Sequence, residues 1–169
     1  MPDLANYRNE IRVAGIDLAG KSENPTGLCF ISSAGVRTKK VFTDAEILRE
    51  ITNFKPRVVA IDAPLWLPPA NVAWRLCEVL LMKRGFRPLS LLFPSMRLLA
   101  MRAKRIANEI RKMNIEVIEV FAAASEKILG LKKQRGRNKD EYDALLCALT
   151  AKAYMEGNYE DLGGIIIPK

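Results

Sequence analysis

The sequence predicts a single α/β domain spanning residues 1–169, a mixed sheet with helices on both faces. Three observations predict it. The first quarter of the chain reads as three strands in succession. From residue 57 onward, short apolar runs alternate with stretches of helical spacing. Finally, 49% of the 169 residues are apolar and no segment repeats, so the chain can bury one core of its own.

Arg12–Asp17 reads as a buried strand, and Thr26–Ser33 and Val36–Phe42 as its antiparallel partners, with Ser33-Ala34-Gly35 as a tight turn. Thr43 or Asp44 can cap a short helix running to about Phe54. Arg57–Asp62 (R-V-V-A-I-D) is a continuous apolar run, typical of a strand covered on both faces. Pro64, Pro68 and Pro69 then break the chain. Helical spacing covers Ala73–Arg84 and Met96–Met113, and Gly85, Pro88 and Pro94 mark the loop between them. Glu116–Phe121 is the fifth strand, and Ser125–Leu129 can form a short helical turn. Asn138, with Glu141 three residues on, carries a capping-box pattern and opens a long helix to about Glu156. The terminal Gly163–Pro168 can add a short edge strand. The expected sheet is five-stranded and mixed, because a three-strand meander is followed by alternating strands and helices.

Composition excludes several chemistries. The chain has no histidine. Ser-His-Asp and Cys-His nucleophiles, His-ligated zinc and a histidine general base are therefore ruled out. Acid–base work must run on carboxylates, lysines or a metal. Cys29, Cys77 and Cys147 are few and far apart, which argues for a reducing cytoplasm and against a disulfide framework. Met1–Glu10 carries charges and no apolar run, so no signal peptide is expected. No stretch has the roughly 18 consecutive apolar residues of a membrane helix, so no membrane partner is expected either.

The net charge of +8 is unevenly placed. Residues 82–113 hold nine basic side chains and one acid, and residues 127–139 hold six basic side chains and no acid. The rest of the chain has 12 basic and 18 acidic residues, a net of −6. Basic segments on an acidic body suit a polyanion such as nucleic acid. The candidate phosphate contacts are Arg97, Arg102, Lys104 and Arg105 in the first segment, and Lys132, Lys133, Arg135 and Arg137 in the second. The plainer reading is a solvated helix face and a basic loop.

Three aspartates sit where packing alone would not choose them. Asp17 ends the first strand in V-A-G-I-D-L-A-G, Asp62 ends V-V-A-I-D-A-P, and Asp143 lies three residues after Asp140 on the last long helix. Tyr142, Leu145, Leu146, Leu149 and Ala153 define that helix's core face at helical spacing. Asp143 and Asp140 are neighbours on a side otherwise made of Ala144, Cys147, Ala148 and Ala151. A helix with so many small residues can be packed nearly all round, which leaves Asp143 poorly solvated. If the first and fourth strands are adjacent, Asp17, Asp62 and Asp143 can converge. Two carboxylates 4 Å apart repel by roughly 4 kcal/mol at an effective dielectric near 20. A shared cation removes that cost, and Mg²⁺ or Mn²⁺ takes oxygen ligands without needing His or Cys. Each acid also has a structural reading. Asp140 suits a first helical turn, Asp62 can merely end a strand, and Asp143 can pair with Arg135 or Arg137. Glu119 shares a strand face with Val117 and Phe121; it either faces the same site as an additional carboxylate or lies at a solvated edge.

Gly15-Ile-Asp-Leu-Ala-Gly20-Lys21-Ser22 also satisfies G-x-x-x-x-G-K-[ST], the phosphate-cradling loop of nucleotide-binding phosphotransferases. Such a loop must run into a helix. Here Pro25 and Gly27 follow, and L-C-F-I-S reads as a strand.

The same residues carry a family resemblance. G-I-D-x-x-G (15–20) followed by T-G (26–27), the A-I-D strand end (60–62) and D-E-Y-D-A-L-L-C-A-L-T-A (140–151) resemble motifs of RuvC-like Holliday-junction resolvases. Over nearly its full length the chain resembles an uncharacterised, largely prokaryotic family of predicted nucleases with an RNase H fold. Further marks of that resemblance are R-L-C-E (75–78), R-G-F-R-P (84–88), I-E-V-F-A-A-A-S (118–125) and the terminal I-I-I-P. The resemblance implies an RNase H-like domain with metal-ligand roles for Asp17, Asp62 and Asp143 and Asp140 as a fourth carboxylate. It departs at Asp62, where resolvases carry glutamate, and at Ala122, where a proline is expected after E-V-F. The functional expectation is a Mg²⁺- or Mn²⁺-dependent nuclease, with a homodimer suited to a symmetric branched substrate. The alternatives are a non-catalytic nucleic-acid-binding module and the phosphotransferase.

Overall fold

A computed structural model describes residues 10–133 and 135–169. The stretch read as lacking a signal peptide falls, except for Glu10, outside the described residues. Strands β1 (Val13–Asp17), β2 (Thr26–Ser32), β3 (Gly35–Val41), β4 (Val58–Ile61) and β5 (Glu116–Val120) form where five were expected. They occupy consecutive positions in the order β3-β2-β1-β4-β5. The sheet does not stop there. It continues through β7 (Ile165–Pro168) to β6 (Tyr159–Asp161), giving seven strands where five were expected. β7 pairs in parallel with β5, and β6 folds back against it in antiparallel fashion, so the I-I-I-P run is interior and fully buried. Gly163 and Gly164, both at positive φ, make the turn between β6 and β7.

β1, β4, β5 and β7 run parallel, and β2 runs antiparallel to β1. Among the described residues the helices are α1 (Asp44–Phe54), α2 (Leu76–Lys83), α3 (Pro94–Arg111), α4 (Ala122–Leu129) and α5 (Lys139–Met155). They cover both faces. Ile47 and Ile51 of α1 and Ala103, Ile106 and Ile110 of α3 pack against Ala14, Ile16, Phe30, Val59 and Ile61. On the other face, Ala144, Cys147, Ala148 and Ala151 of α5 meet Val13, Cys29, Val58, Ala60 and Ile118. α2 packs through Cys77 and Leu81 on Ile165 and Ile167.

Local chemistry fixes the helix ends. Thr43 caps α1 with a complete capping box, its hydroxyl accepting from Glu46 N–H at 3.2 Å while Glu46 accepts from Thr43 N–H at 2.8 Å. Asn138 caps α5, accepting from Glu141 N–H at 3.1 Å. α3 starts at Pro94, earlier than expected, because proline fits the first helical position, where its missing N–H is not needed. α2 is shorter than expected, since residues 73–75 are extended into the Arg75 cap, and α4 is longer, beginning directly after Phe121. Among the described residues no helix is long and apolar enough to cross a membrane.

Candidate functional site

The topology brings the two strand-end aspartates side by side. β1 and β4 are parallel neighbours in the register Ile16↔Ile61, and Asp62 N–H donates to the Ile16 carbonyl at 3.0 Å. Asp17 and Asp62 are therefore adjacent at the carboxyl ends of two central strands, where open α/β sheets place their ligands. By alternation they share the face of Val13, Gly15, Val58 and Ala60, the face that α5 covers.

α5 can reach them because the sheet beneath it is glycine. A Cβ at Gly15 would collide with the Ala144 carbonyl and the Ala148 amide, and one at Gly27 with the Asp140 carbonyl. The α5 backbone thus lies directly on β1 and β2. Ala144, Cys147, Ala148 and Ala151 face the sheet, while Leu145 and Leu149 are only half-buried. The contact face of α5 is thus its small-residue side, whereas the spacing of large apolar residues pointed to the Leu145/Leu149 side. Asp140 and Asp143 continue the small face by one turn and so are carried to the Asp17 end of β1.

The acids are near enough to act on one another's charge. Burial pushes the Asp17 carboxyl up to about 7, with Asp143 and then Asp140 adding repulsion against the relief given by Lys139. Burial likewise raises Asp62 to about 7, with Asp17 and Asp143 adding to it. One hydrogen bond from Ala122 N–H at the start of α4 pulls Asp62 the other way. Asp143 pairs with Lys139 one turn earlier on its own helix, and not with Arg135 or Arg137. The bond to Asp143 raises the Lys139 ammonium, with Asp17 and Asp140 acting in the same direction.

Asp17 and Asp62 line a cavity of about 230 Å³, with Leu89, Met96 and Leu99 among its apolar walls. Glu119 lines the same cavity but does not join the aspartates. It sits opposite Ile61 in the register, on the other face of the sheet. It is neither a free ligand nor a solvated edge residue. Arg75, whose side chain is 0% exposed, bridges Glu119 and Glu78, with Nη1 to Glu119 Oε2 at 3.0 Å and Nε to Glu78 Oε1 at 3.0 Å. Leu65 N–H completes the cluster, donating to Glu119 at 2.9 Å. Burial still leaves Glu119 raised, despite the arginine beside it. Cys77, Glu78 and Glu119 have donor atoms within 4.8 Å of one another, tighter than any trio of the aspartates. The Arg75 guanidinium already neutralises that group. The Asp17 set has only a lysine, held by one of its four carboxylates.

The basic residues divide. Arg102 is buried and fully used: it donates to Asp44 at 2.8 Å and to the carbonyls of Ala19 and Phe42 at 2.7 Å each. It locks the β1–β2 loop to α1 and is not a phosphate contact, because α3 turns position 102 inward beside Ala103 and Ile106. Arg105 shares Asp44 at 2.8 Å but remains largely exposed. Arg97 is half-buried, with Nη1 lacking a hydrogen-bond partner. Lys104, Lys132, Lys133 and Arg135 are exposed, and Arg137 leans over the Tyr142 ring. After Lys21-Ser22 the chain enters β2 with no helix, so the G-x-x-x-x-G-K-S segment lacks the helix end a phosphate cradle needs. Two pairings escaped the sequence reading: Lys139 with Asp143, signalled only by i,i+4 spacing, and Arg75 with Glu119, a partner 44 residues away. No family model matches the chain, and no curated protein matches it.

Proposed function

We propose that this protein is an RNase H-like nuclease that hydrolyses nucleic-acid phosphodiesters with Mg²⁺ or Mn²⁺ held by Asp17, Asp62 and Asp143, Asp140 assisting. In this reading β3-β2-β1-β4-β5 is the core sheet, and the β7–β6 hairpin is an edge addition. One observation carries the proposal: two adjacent strand-end carboxyls, Asp17 and Asp62, each raised to about 7 by burial first and by neighbouring acids second, are joined by two more that a helix laid on glycine delivers, an all-oxygen set. That donor set fits a hard divalent ion. When bound, the metal supplies a polarised water and charge compensation at the phosphate. The chain's own work is positional. Ala122 N–H orients Asp62, and β1 fixes Asp17 between β2 and β4. Lys132, Lys133, Arg135 and Arg137 and the outer face of α3 hold the backbone by charge, without reading sequence.

The non-catalytic binding module draws support from Lys139, which already gives the cluster a cation of its own. Labelled DNA, RNA and branched substrates incubated with Mn²⁺ separate the two. The nuclease reading expects cleavage that EDTA and Asp17→Asn both abolish. Cleavage surviving Asp17→Asn, or salt-dependent binding with none, defeats it.

A further inference from the structure

We infer that a groove along α3, leading away from Asp17 and Asp62, binds single-stranded nucleic acid, DNA or RNA, in preference to duplex. This inference rests on the proposed nuclease reading and names the form of its substrate. The cavity that holds Asp17 and Asp62 is walled by Met96 and Leu99. Both residues also line the next depression, with Lys21 and Leu98. Lys21 and Leu98 in turn line a third, open depression of about 680 Å³ that ends at Met101 and Arg105. The three share lining residues in sequence along the first half of α3.

Its lining is partly apolar and partly basic. Leu98 and Met101 are 48% and 58% exposed, three residues apart on the outer face of α3, although most of the other exposed side chains on that helix are polar or charged. Lys21 is exposed and makes no ion pair among the described residues. Arg105 offers the part of its guanidinium that Asp44 does not take, with 63% of its side chain exposed. Base faces can rest on the apolar floor while phosphates meet Lys21 and Arg105 at the rim. In a duplex those base faces are stacked inside and cannot reach the floor, so the apolar surface gains nothing from it. Asp44 and Glu23 also line the groove; Asp44 is consumed by Arg102 and Arg105, which leaves Glu23 as the uncompensated acid.

The test is fluorescence anisotropy in EDTA, which removes any dependence on metal. The probes are oligo-dT and oligo-U of about twenty nucleotides and a blunt duplex of equal length. Single strands should bind at least about tenfold more tightly than duplex. Lys21→Glu and Met101→Asp should each weaken single-strand binding by about tenfold, while Lys152→Ala on α5 leaves it unchanged. A preference for one of the two sugars identifies the source of the strand and supports the groove. Duplex binding as tightly as single strands overturns it. So does Met101→Asp leaving binding intact while splitting a dimer, which would make the face a self-association surface. Binding that follows these rules without cleavage in Mn²⁺ overturns the nuclease and leaves the groove. Cleavage lost in Asp17→Asn but unaffected by Lys21→Glu and Met101→Asp does the reverse.

Discussion

Replacing Asp17 with asparagine should make the metal-free protein more stable above neutral pH while removing its response to metal. The folded state raises the Asp17 carboxyl from 3.8 to about 7 through burial first and repulsion from Asp143 second. Because the folded value lies above the unfolded one, the native state keeps a proton that the unfolded chain has released between pH 4 and 7. Stability therefore falls as pH rises through that window, and the whole cost is present above it. At about 1.36 kcal/mol per unit, a rise of this size sets a ceiling near 4 kcal/mol. Asp17 retains some solvent contact, and its loss also relieves Asp62, so a net gain of about 2 kcal/mol at pH 8 is reasonable for Asp17→Asn. For a chain of this length that is roughly 4–8 °C in Tm. The assay is thermal unfolding at pH 5 and pH 8, with EDTA or Mn²⁺. The wild type should lose stability from pH 5 to pH 8 in EDTA and regain it with Mn²⁺. Asp17→Asn should be flatter with pH, more stable than wild type at pH 8, and indifferent to Mn²⁺. A variant that is less stable than wild type at pH 8 in EDTA, or that keeps the full Mn²⁺ response, refutes the reasoning.

Other outcomes follow from the same geometry. Arg75→Met strands Glu78 and Glu119 in a buried site and should cost about 3–5 kcal/mol by chemical denaturation, most of it recovered when both glutamates are also made glutamine. Gly27→Ala pushes a methyl into the Asp140 carbonyl, so α5 must lift. A loss of about 3 kcal/mol is expected, with weaker Mn²⁺ binding by calorimetry. Lys139→Met removes the cation competing for Asp143 and should tighten Mn²⁺ binding about two- to fivefold at low salt, an effect that fades as salt is added. Weaker binding would mean that Lys139 organises the site and does not compete for it.

The strands were legible as far as β5 because each is either a dense apolar run or part of a tight meander; their order was not, and the third strand, read as a partner of the first, pairs with β2. β6 was not legible: Tyr159-Glu160-Asp161 is three half-exposed or exposed residues with no apolar run, paired to β7. Asp17 and Asp62 stood out because a charge directly after a buried strand has few structural uses. The orientation of α5 was harder to see, since leucines at 145, 146 and 149 outweigh alanines in any hydrophobic count. Glycines at 15 and 27 decide the matter, and they lie on other elements. Glu119 and Arg102 mark the limit of single-sequence reading. Alternation placed Glu119 on the right face, but its partner comes from a loop 44 residues away. Arg102 belongs to a basic segment whose charge suggested solvent, yet its position beside Ala103 and one turn before Ile106 already placed it inward.

Anomalous diffraction from a crystal soaked in Mn²⁺ tests the central claim most directly. A peak bounded by the Asp17 and Asp62 carboxylates, with Asp143 turned from Lys139 toward it, is the expected result. An empty Asp17–Asp62 site at saturating Mn²⁺, or a peak only at Cys77, Glu78 and Glu119, would contradict the account.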